Sequence, residues 1–285
     1  MSLQILSTVA EVQAFSAKQW STGKRLALVP TMGFLHEGHL SLIREGRGRA
    51  DVVATTIFVN PTQFGPTEDL SRYPRDLQGD LAKCQSAGAE VVFTPEPKEI
   101  YPPGFQTFVE VTAVSQGLCG EKRPGHFKGV ATVVTKLLAM FRPHLALFGE
   151  KDYQQLQVIR TLNVDLNLGV EIVGMPTVRE PDGLALSSRN TYLTVDERRQ
   201  ALALSRGLKA AQQLAKAGER DAAVLIERIR SFLRDAQLRE DYIALVDAQS
   251  LKSLQRLEPG VAARALIAAY VGKTRLIDNL SVVAG

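Results

Sequence analysis

Short runs of consecutive apolar residues alternate with helix-compatible segments through the first two-thirds of the chain, and this alternation restricts the fold more than any other feature. Leu26-Ala-Leu-Val-Pro30 reads as a strand, and a helical pattern follows over about residues 39–50. Residues 52–60 form a second expected strand, closed by Pro61, which has no N–H to give a sheet ladder. A helix over 77–87 stops at Gly88, and a strand restarts over 91–94. A helix over 129–141, a strand over 145–148, a helix over 152–162 with Asp152 placed to cap it, and a strand over 170–175 complete the series. Strands that are hydrophobic at every position are buried on both faces. The expected architecture is therefore α/β, a doubly wound parallel sheet whose ligands bind at the carboxyl ends of the strands.

After about Pro176 the pattern changes. Residues 196–236 carry long Ala/Leu/Arg/Glu-rich helical stretches broken near Gly218, and three short strand candidates follow at 242–246, 265–271 and 275–277. Helices first and strands after describe a separate, smaller α+β domain. The linker falls near 177–187, where Arg179-Glu-Pro-Asp-Gly183 reads as a turn, so domains are expected at 1–180 and 181–285.

Composition narrows the function classes. With 34 Lys plus Arg against 30 Asp plus Glu over 285 residues the net charge is +4, and 45% hydrophobic content is enough for a large core. Apolar runs such as 51–59 fall far short of the ~20 residues needed to cross a bilayer, so no membrane association is expected. The first residues show no basic region ahead of an apolar block, which argues against a secretory or transit peptide and for a cytoplasmic protein. Cys84 and Cys119 are too far apart for a zinc knuckle and read as reduced thiols. The basic excess is small and interleaved with acids, as in Asp196-Glu-Arg-Arg199, which fits solvated helix faces and no nucleic-acid partner. A nucleic-acid module would set aromatic residues among clustered basic ones, yet Phe34, Phe58 and Phe64 lie in apolar or turn contexts. Arg44, Arg47 and Arg49 form one local basic cluster, a weak phosphate signal on its own.

The informative segment is Pro30-Thr-Met-Gly-Phe-Leu-His-Glu-Gly-His39. Two histidines spaced i, i+3 sit where the first strand hands over to a helix, whose N-terminus offers backbone N–H groups and a positive dipole end suited to polyphosphate. Gly33 and Gly38 would let that backbone approach a ligand, and His36 and His39 would donate to phosphoryl oxygens as charge develops. A zinc protease reading fails, because only one residue separates Glu37 from His39. Two satisfied turn histidines remain the bland alternative.

Further candidates fall at the same expected sheet edge. Asn60-Pro-Thr-Gln-Phe64 follows the second strand, and Gln63 can hydrogen-bond a carboxylate or hydroxyl, or simply serve a turn. In Phe148-Gly-Glu-Lys-Asp-Tyr-Gln-Gln155, Lys151 is a natural phosphate partner, while Asp152 suits a helix cap and a ribose ligand equally. Arg123-Pro-Gly-His-Phe-Lys128 reads as a mobile anion-binding lid or as a solvated loop. In Leu186-Ser-Ser-Arg189 two hydroxyls beside an arginine suit triphosphate oxygens. Two decoys drop out. Val271-Gly-Lys-Thr274 lacks the first glycine of a phosphate loop, since Ile267 stands there, and Gly46-Arg-Gly-Arg-Ala-Asp51 ends a helix instead of opening one.

Taken together, Pro30–His39, Phe58-Val-Asn-Pro-Thr-Gln-Phe64, Arg72-Tyr-Pro-Arg75, Arg123–Phe127, Phe148–Gln155, Asp182–Asn190 and Arg275-Leu-Ile-Asp-Asn279 resemble, in order, the pantothenate synthetase (pantoate–β-alanine ligase) family. The resemblance is effectively full length; Phe34 and Thr62 depart from it without removing a functional group. It implies a Rossmann-like nucleotidyltransferase domain, with His36-Glu-Gly-His39 similar to the HIGH motif of class I aminoacyl-tRNA synthetases and Ser187-Ser-Arg189 to their second signature. The implied reaction forms pantoyl adenylate from pantoate and Mg-ATP, releasing pyrophosphate, and then transfers the acyl group to β-alanine with loss of AMP. The resemblance casts His36, His39 and Lys151 as catalytic, with His39 the proton donor, and Gln63 and Gln155 as pantoate ligands. Gln63 and Asn60 would serve β-alanine. Met32, Gly33, Gly149, Lys151, Asp152, Val178 (through its backbone), Leu186, Ser187, Ser188 and Arg189 would join the two histidines in binding ATP, and Arg123 with Lys128 would close over it. Mg²⁺ is expected with ATP, with no protein ligands assigned, and a homodimer is implied. A plain nucleotidylyltransferase acting on a phosphorylated acceptor is the alternative; neutral Gln63 and Gln155 disfavour it, because a phosphate would want Arg or Lys there.

Overall fold

Six strands, all parallel, build the main sheet in the order β1-β4-β3-β2-β5-β6. They are β1 (Gln4–Leu6), β2 (Leu26–Thr31), β3 (Val52–Ile57), β4 (Val91–Phe93), β5 (Leu145–Gly149) and β6 (Glu171–Met175). The computed structural model describes residues 3–66 and 68–285. Between the strands run α1 (Val9–Ser21), α2 (Glu37–Arg49), α3 (Leu77–Ala87), the single turns α4 (Pro97–Ile100) and α5 (Leu118–Lys122), then α6 (His126–Phe141) and α7 (Tyr153–Asp165).

Alternation along the strands explains why both faces are covered. Ala27, Val29, Val53, Val92, Leu145 and Leu147 point one way and share a core with Leu42 and Ile43 of α2 and Cys84 and Ala87 of α3. On the other side Phe93 meets Phe141 of α6 edge-on, with ring centres 5.9 Å apart. Ser16 of α1 bonds the Phe141 carbonyl, which ties α1 to α6. This is the doubly wound arrangement expected of strands apolar at every position.

The strand order reverses between β2 and β5, the place where such sheets open a crevice. β5 pairs with β2 only at Ala27 and Leu28, whereas β3 follows β2 as far as Thr31. Pro30 has no N–H to extend the ladder toward β5, so a proline inside a central strand is tolerated here. The segments leaving β2 and β5 at this edge carry the histidine motif and Gly149.

The chain divides into two compact units, one running to Glu150 and including Gln154–Pro176, the other comprising Lys151–Tyr153 and Thr177–Gly285. In the second, α8 (Val195–Lys216) and α9 (Ala222–Asp235) pack with an antiparallel sheet of β7 (Arg239–Asp247), β8 (Ala263–Val271) and β9 (Thr274–Val282). Thr194 and Glu197 close a capping box at the start of α8, and Gly272-Lys273 is the two-residue hairpin turn between β8 and β9. No described helix is long and apolar enough to cross a membrane.

Candidate functional site

His36 occupies the N-cap of α2, a position normally held by Ser, Thr, Asp or Asn. Its Nδ1 accepts the Gly38 N–H at 3.2 Å, while the His36 N–H donates to His39 Nδ1 at 3.3 Å. The two rings lie 4.1 Å apart, tilted by 33°. An Nδ1 that accepts a backbone N–H carries no proton, so each neutral imidazole bears its hydrogen on Nε2. The sequence motif thus becomes a pair of oriented Nε2–H donors at a helix N-terminus.

The backbone of this segment differs from the open cradle anticipated for polyphosphate. The Gly33 N–H donates to Thr31 Oγ1 at 3.2 Å, Phe34 and Leu35 donate to the Asp80 carboxylate at 2.6 and 2.7 Å, and the His39 N–H takes the His36 carbonyl at 2.8 Å. These four amides already have partners in the protein and are not open phosphate donors. The basic cluster on α2 is likewise internally matched. Arg44 pairs with Glu37, Arg47 with Glu90 at 2.5 Å, and Arg49 with Glu45 at 2.7 Å. The Arg44 hydrogen bond holds the Glu37 carboxyl below its ordinary range.

Asn60, Gln63 and Met32 come together at the ends of β2 and β3. Asn60 caps the 3-10 turn Pro61–Gln63, and its Oδ1 accepts from the Thr62 hydroxyl at 2.9 Å and the Tyr101 hydroxyl at 2.8 Å. Its Nδ2 donates to the Gly129 carbonyl at 3.1 Å and to Gln63 Oε1 at 3.2 Å. A carbonyl only accepts, so the Gly129 contact fixes which way the Asn60 amide faces. Gln63 then has its oxygen occupied and presents its NH₂, which lies 2.8 Å from Met32 Sδ. Tyr101 is absent from every motif in the sequence, and nothing in its local pattern points to this role.

Arg123 and His126 hold the same turn from behind. Arg123 chelates Glu68 through Nε at 2.6 Å and Nη2 at 2.8 Å, and its Nη1 lies 2.9 Å from His126 Nε2. His126 Nδ1 lies 2.8 Å from the Gln63 carbonyl. That oxygen only accepts and guanidinium only donates, so His126 is neutral with its proton on Nδ1. Burial raises the Glu68 carboxyl, but the hydrogen bond and charge of Arg123 outweigh it and the net shift is downward. The stretch expected as a loop is half helical, since Arg123 caps the end of α5, residues 124–125 turn and His126 opens α6. Lys128 turns to Glu110 at 3.8 Å, with its Nζ 5.2 Å from the centre of the Phe108 ring.

Gly149 ends β5, and a Cβ there would meet nothing within 4 Å. Gln155 lies in the first turn of α7. Its buried neighbour Gln154 is structural, accepting the Cys119 N–H at 3.0 Å and donating to the Val114 carbonyl at 3.1 Å.

In the second unit the Asn279 side chain holds the Lys151 carbonyl at 2.9 Å, and Lys151 Nζ lies 3.7 Å from Asp152. Val178 accepts the Leu186 N–H at 3.0 Å, and Arg179 pairs across this small hairpin with Ala185. The hairpin is anchored by Arg179, whose guanidinium grips buried Asp278 at 2.7 and 2.9 Å. Ser187 Oγ accepts the Arg189 N–H at 3.3 Å and caps the 3-10 turn Ser188–Tyr192. A cavity brings Lys151 and Ser187 together with Asn190 and Asp278. Among the described residues no group of three or more His, Cys, Asp or Glu is arranged to hold a metal ion.

Residues 4–281 fit the family model described as pantoate-beta-alanine ligase. Pantothenate synthetase of Myxococcus xanthus is 67% identical, over 99% of this chain and 97% of the relative. The crystal structure of pantothenate synthetase from Thermus thermophilus superposes with a TM-score of 0.92 at 44% identity, covering 99% of this chain and 100% of that one. Pantoate-beta-alanine ligase from Francisella tularensis, solved with β,γ-ATP and β-alanine, gives 0.81 at 35% identity over 98% and 97%. A match spanning nearly the whole chain, with the histidine pair and the Gln63 turn formed as described, assigns this chain to the pantoate–β-alanine ligase family.

Proposed function

We propose that the chain condenses pantoate with β-alanine at the expense of ATP, in two steps through an enzyme-bound pantoyl adenylate. The observation that carries the reading is Gln63, whose amide is fixed with its Oε1 accepting from Asn60 at 3.2 Å and its NH₂ directed to Met32 Sδ at 2.8 Å, which leaves its second N–H to offer to a substrate. A fixed neutral donor suits the hydroxyl and carboxylate of a small hydroxy acid, whereas a phosphorylated acceptor would call for a cation at this place.

In the first step a pantoate carboxylate oxygen attacks the α-phosphorus of ATP and the bond to the bridging oxygen breaks, so pyrophosphate leaves with the electron pair. The Nε2–H groups of His36 and His39 donate to phosphate oxygens as charge accumulates, with His39 in the proton-donor role. Gln155 joins Gln63 on pantoate. Asn60 acts through Gln63, because both of its own polar atoms are engaged in the protein. Lys151, Ser187, Ser188 and Arg189 take the phosphates, and Met32, Gly33, Gly149, Asp152 and Leu186 complete the nucleotide contacts. With its carbonyl occupied by Leu186, Val178 offers its N–H to adenine. Arg123 serves by holding the Gln63 turn. Mg²⁺ would travel with the nucleotide, ligated mainly by phosphate oxygens and water. In the second step the β-alanine amine attacks the acyl carbon, AMP departs, and the new amide loses a proton.

The test is pantoate-dependent exchange of labelled pyrophosphate into ATP without β-alanine, followed by AMP release when β-alanine is added. Absence of exchange with pantoate and Mg²⁺ rejects the reading and favours nucleotidylyl transfer. The family resemblance also supports a cytoplasmic homodimer, to be checked by cell fractionation and light scattering.

A further inference from the structure

We propose that Asp80 and Lys83, on α3, are positioning residues for the histidine pair, an inference that rests on the role given to His36 and His39 above. Asp80 is 1% exposed, and each of its carboxylate oxygens accepts one backbone N–H, Oδ2 from Phe34 at 2.6 Å and Oδ1 from Leu35 at 2.7 Å. One turn along, Lys83 donates to the Leu35 carbonyl at 2.9 Å and lies 3.9 Å from Asp80. Three polar backbone atoms of a two-residue stretch are thus held by one helix.

That stretch needs holding. Gly33 and Phe34 both have positive φ, +81° and +49°, a region a phenylalanine rarely occupies without support. A Cβ on Gly33 would come within 3.0 Å of Asp80 Oδ2, so the carboxylate packs directly against the turn. The next residue is His36. Its N–H sets the His39 ring and its own ring is set by Gly38, so a displaced Leu35 carries both imidazoles with it. The charge-assisted bonds from Asp80 are of the strong class, and they originate 41 to 46 residues away in sequence from the histidines and amides they govern.

The clamp also has an electrostatic consequence. Phe34 and Leu35 would otherwise present N–H groups beside a helix N-terminus, a ready anion site. Asp80 fills that site with the protein's own carboxylate, so the Phe34 and Leu35 amides are not open to an external phosphate.

The experiment begins with wild-type pyrophosphate exchange, so that failure of the reaction assignment is seen separately. Asp80→Asn keeps the shape but turns an NH₂ toward a backbone N–H. It is expected to lower kcat for exchange about 100-fold, as for a displacement of about 1 Å, while the KM for pantoate changes less than twofold. Lys83→Met keeps the apolar stem of a partly exposed side chain, so it folds even where Asp80→Asn does not, and is expected to lose about tenfold in kcat. Imidazole ¹⁵N spectra of the whole protein give an independent readout: His36 and His39 report the Nε2–H form in the wild type and a tautomer mixture in either variant. Folded variants with wild-type kcat overturn the proposal, and unchanged imidazole spectra overturn it even if no exchange is seen in the wild type.

Discussion

Gly129→Ala probes the contact on which the orientation of Gln63 depends. Gly129 lies in the first turn of α6, hard against the 3-10 turn Pro61–Gln63. A Cβ added there would sit 2.6 Å from the Thr62 carbonyl carbon and 2.7 Å from the Gln63 nitrogen. Both are backbone atoms and cannot rotate aside. Ordinary carbon contacts lie near 3.5–4.0 Å, so the turn must retreat by about 1 Å. Alanine contributes about 1 kcal/mol of helix propensity over glycine, but forced overpacking costs about 1–3 kcal/mol, which leaves a modest net destabilisation. The catalytic effect is the larger one. The retreat strains the Asn60 bond to the Gly129 carbonyl and the His126 contact with the Gln63 carbonyl together. A displacement of this size at a substrate-holding group costs about 100-fold in rate. Thermal melting and pyrophosphate exchange over a range of pantoate concentrations should therefore show a small loss of Tm and a large loss of kcat/KM for pantoate. Gly48→Ala, where a Cβ meets nothing within 4 Å, is the control, expected to leave kinetics unchanged and stability equal or up to about 1 kcal/mol higher. If Gly129→Ala behaves like Gly48→Ala, the backbone contact does not position Gln63 and the argument fails.

Other perturbations follow from the same geometry. Asp278→Ala leaves Arg179 without its bidentate partner in a largely buried setting, and chemical denaturation should reveal a loss of about 3–5 kcal/mol; a change below 1 kcal/mol would show the pair to be dispensable. Burial, with the Asp80 charge adding to it, pushes the Cys84 thiol up to about 12, so a disulfide reagent at pH 8 should label Cys84 only after unfolding, and prompt labelling of native protein would contradict this. Glu68 has a folded pKa below its ordinary 4.5, so its contribution to stability is complete above that value and is lost as pH falls through the folded pKa. The Tm difference between wild type and Glu68→Gln should accordingly shrink between pH 6 and pH 3, and a constant difference would remove the ion pair as its cause.

Much of the parallel sheet is readable from sequence because burial on both faces leaves runs with no polar interruption, and Gly88 stops α3 where expected. The first strand is not readable, since β1 has three residues with two of them exposed. α1 carries a legible signal in the Thr8–Glu11 capping box, but its weakly amphipathic stretch hides the period. The C-terminal strands run longer than expected, because β7 starts at Arg239 and includes Asp241, which pairs with Arg275, and β9 continues through polar Asp278, Asn279 and Ser281. At the candidate site the histidines, Asn60, Gln63 and Ser187 are legible as residue types following strands or opening turns. Asp80, Tyr101 and Gly129 are not, for a physical reason: each acts on backbone or amide groups far away in the chain, and a one-dimensional pattern holds no trace of a hydrogen bond across 40 or more positions.

The division of labour in the histidine segment also bears on how the transition state is favoured over the bound substrates. Open backbone N–H groups at the start of α2 would attract ATP phosphates, and equally a free carboxylate, before any reaction occurs. Binding that is equal in ground and transition states does not raise kcat. Here the Phe34 and Leu35 amides are taken by Asp80, and the donors proposed to act on the phosphates are imidazole Nε2–H groups whose tautomers are set by backbone contacts. Such donors can strengthen as charge builds on the leaving pyrophosphate, because a neutral imidazole can become part of a proton-transfer path and an amide cannot. On this view, freeing one of these amides should tighten ATP binding while slowing adenylation. Asp80→Asn therefore makes a prediction that simple damage to the site does not: KM for ATP should fall, or hold steady, as kcat drops. A parallel rise in KM for ATP would show instead that the carboxylate supports nucleotide binding, and the proposed separation of amide and imidazole roles would have to be abandoned.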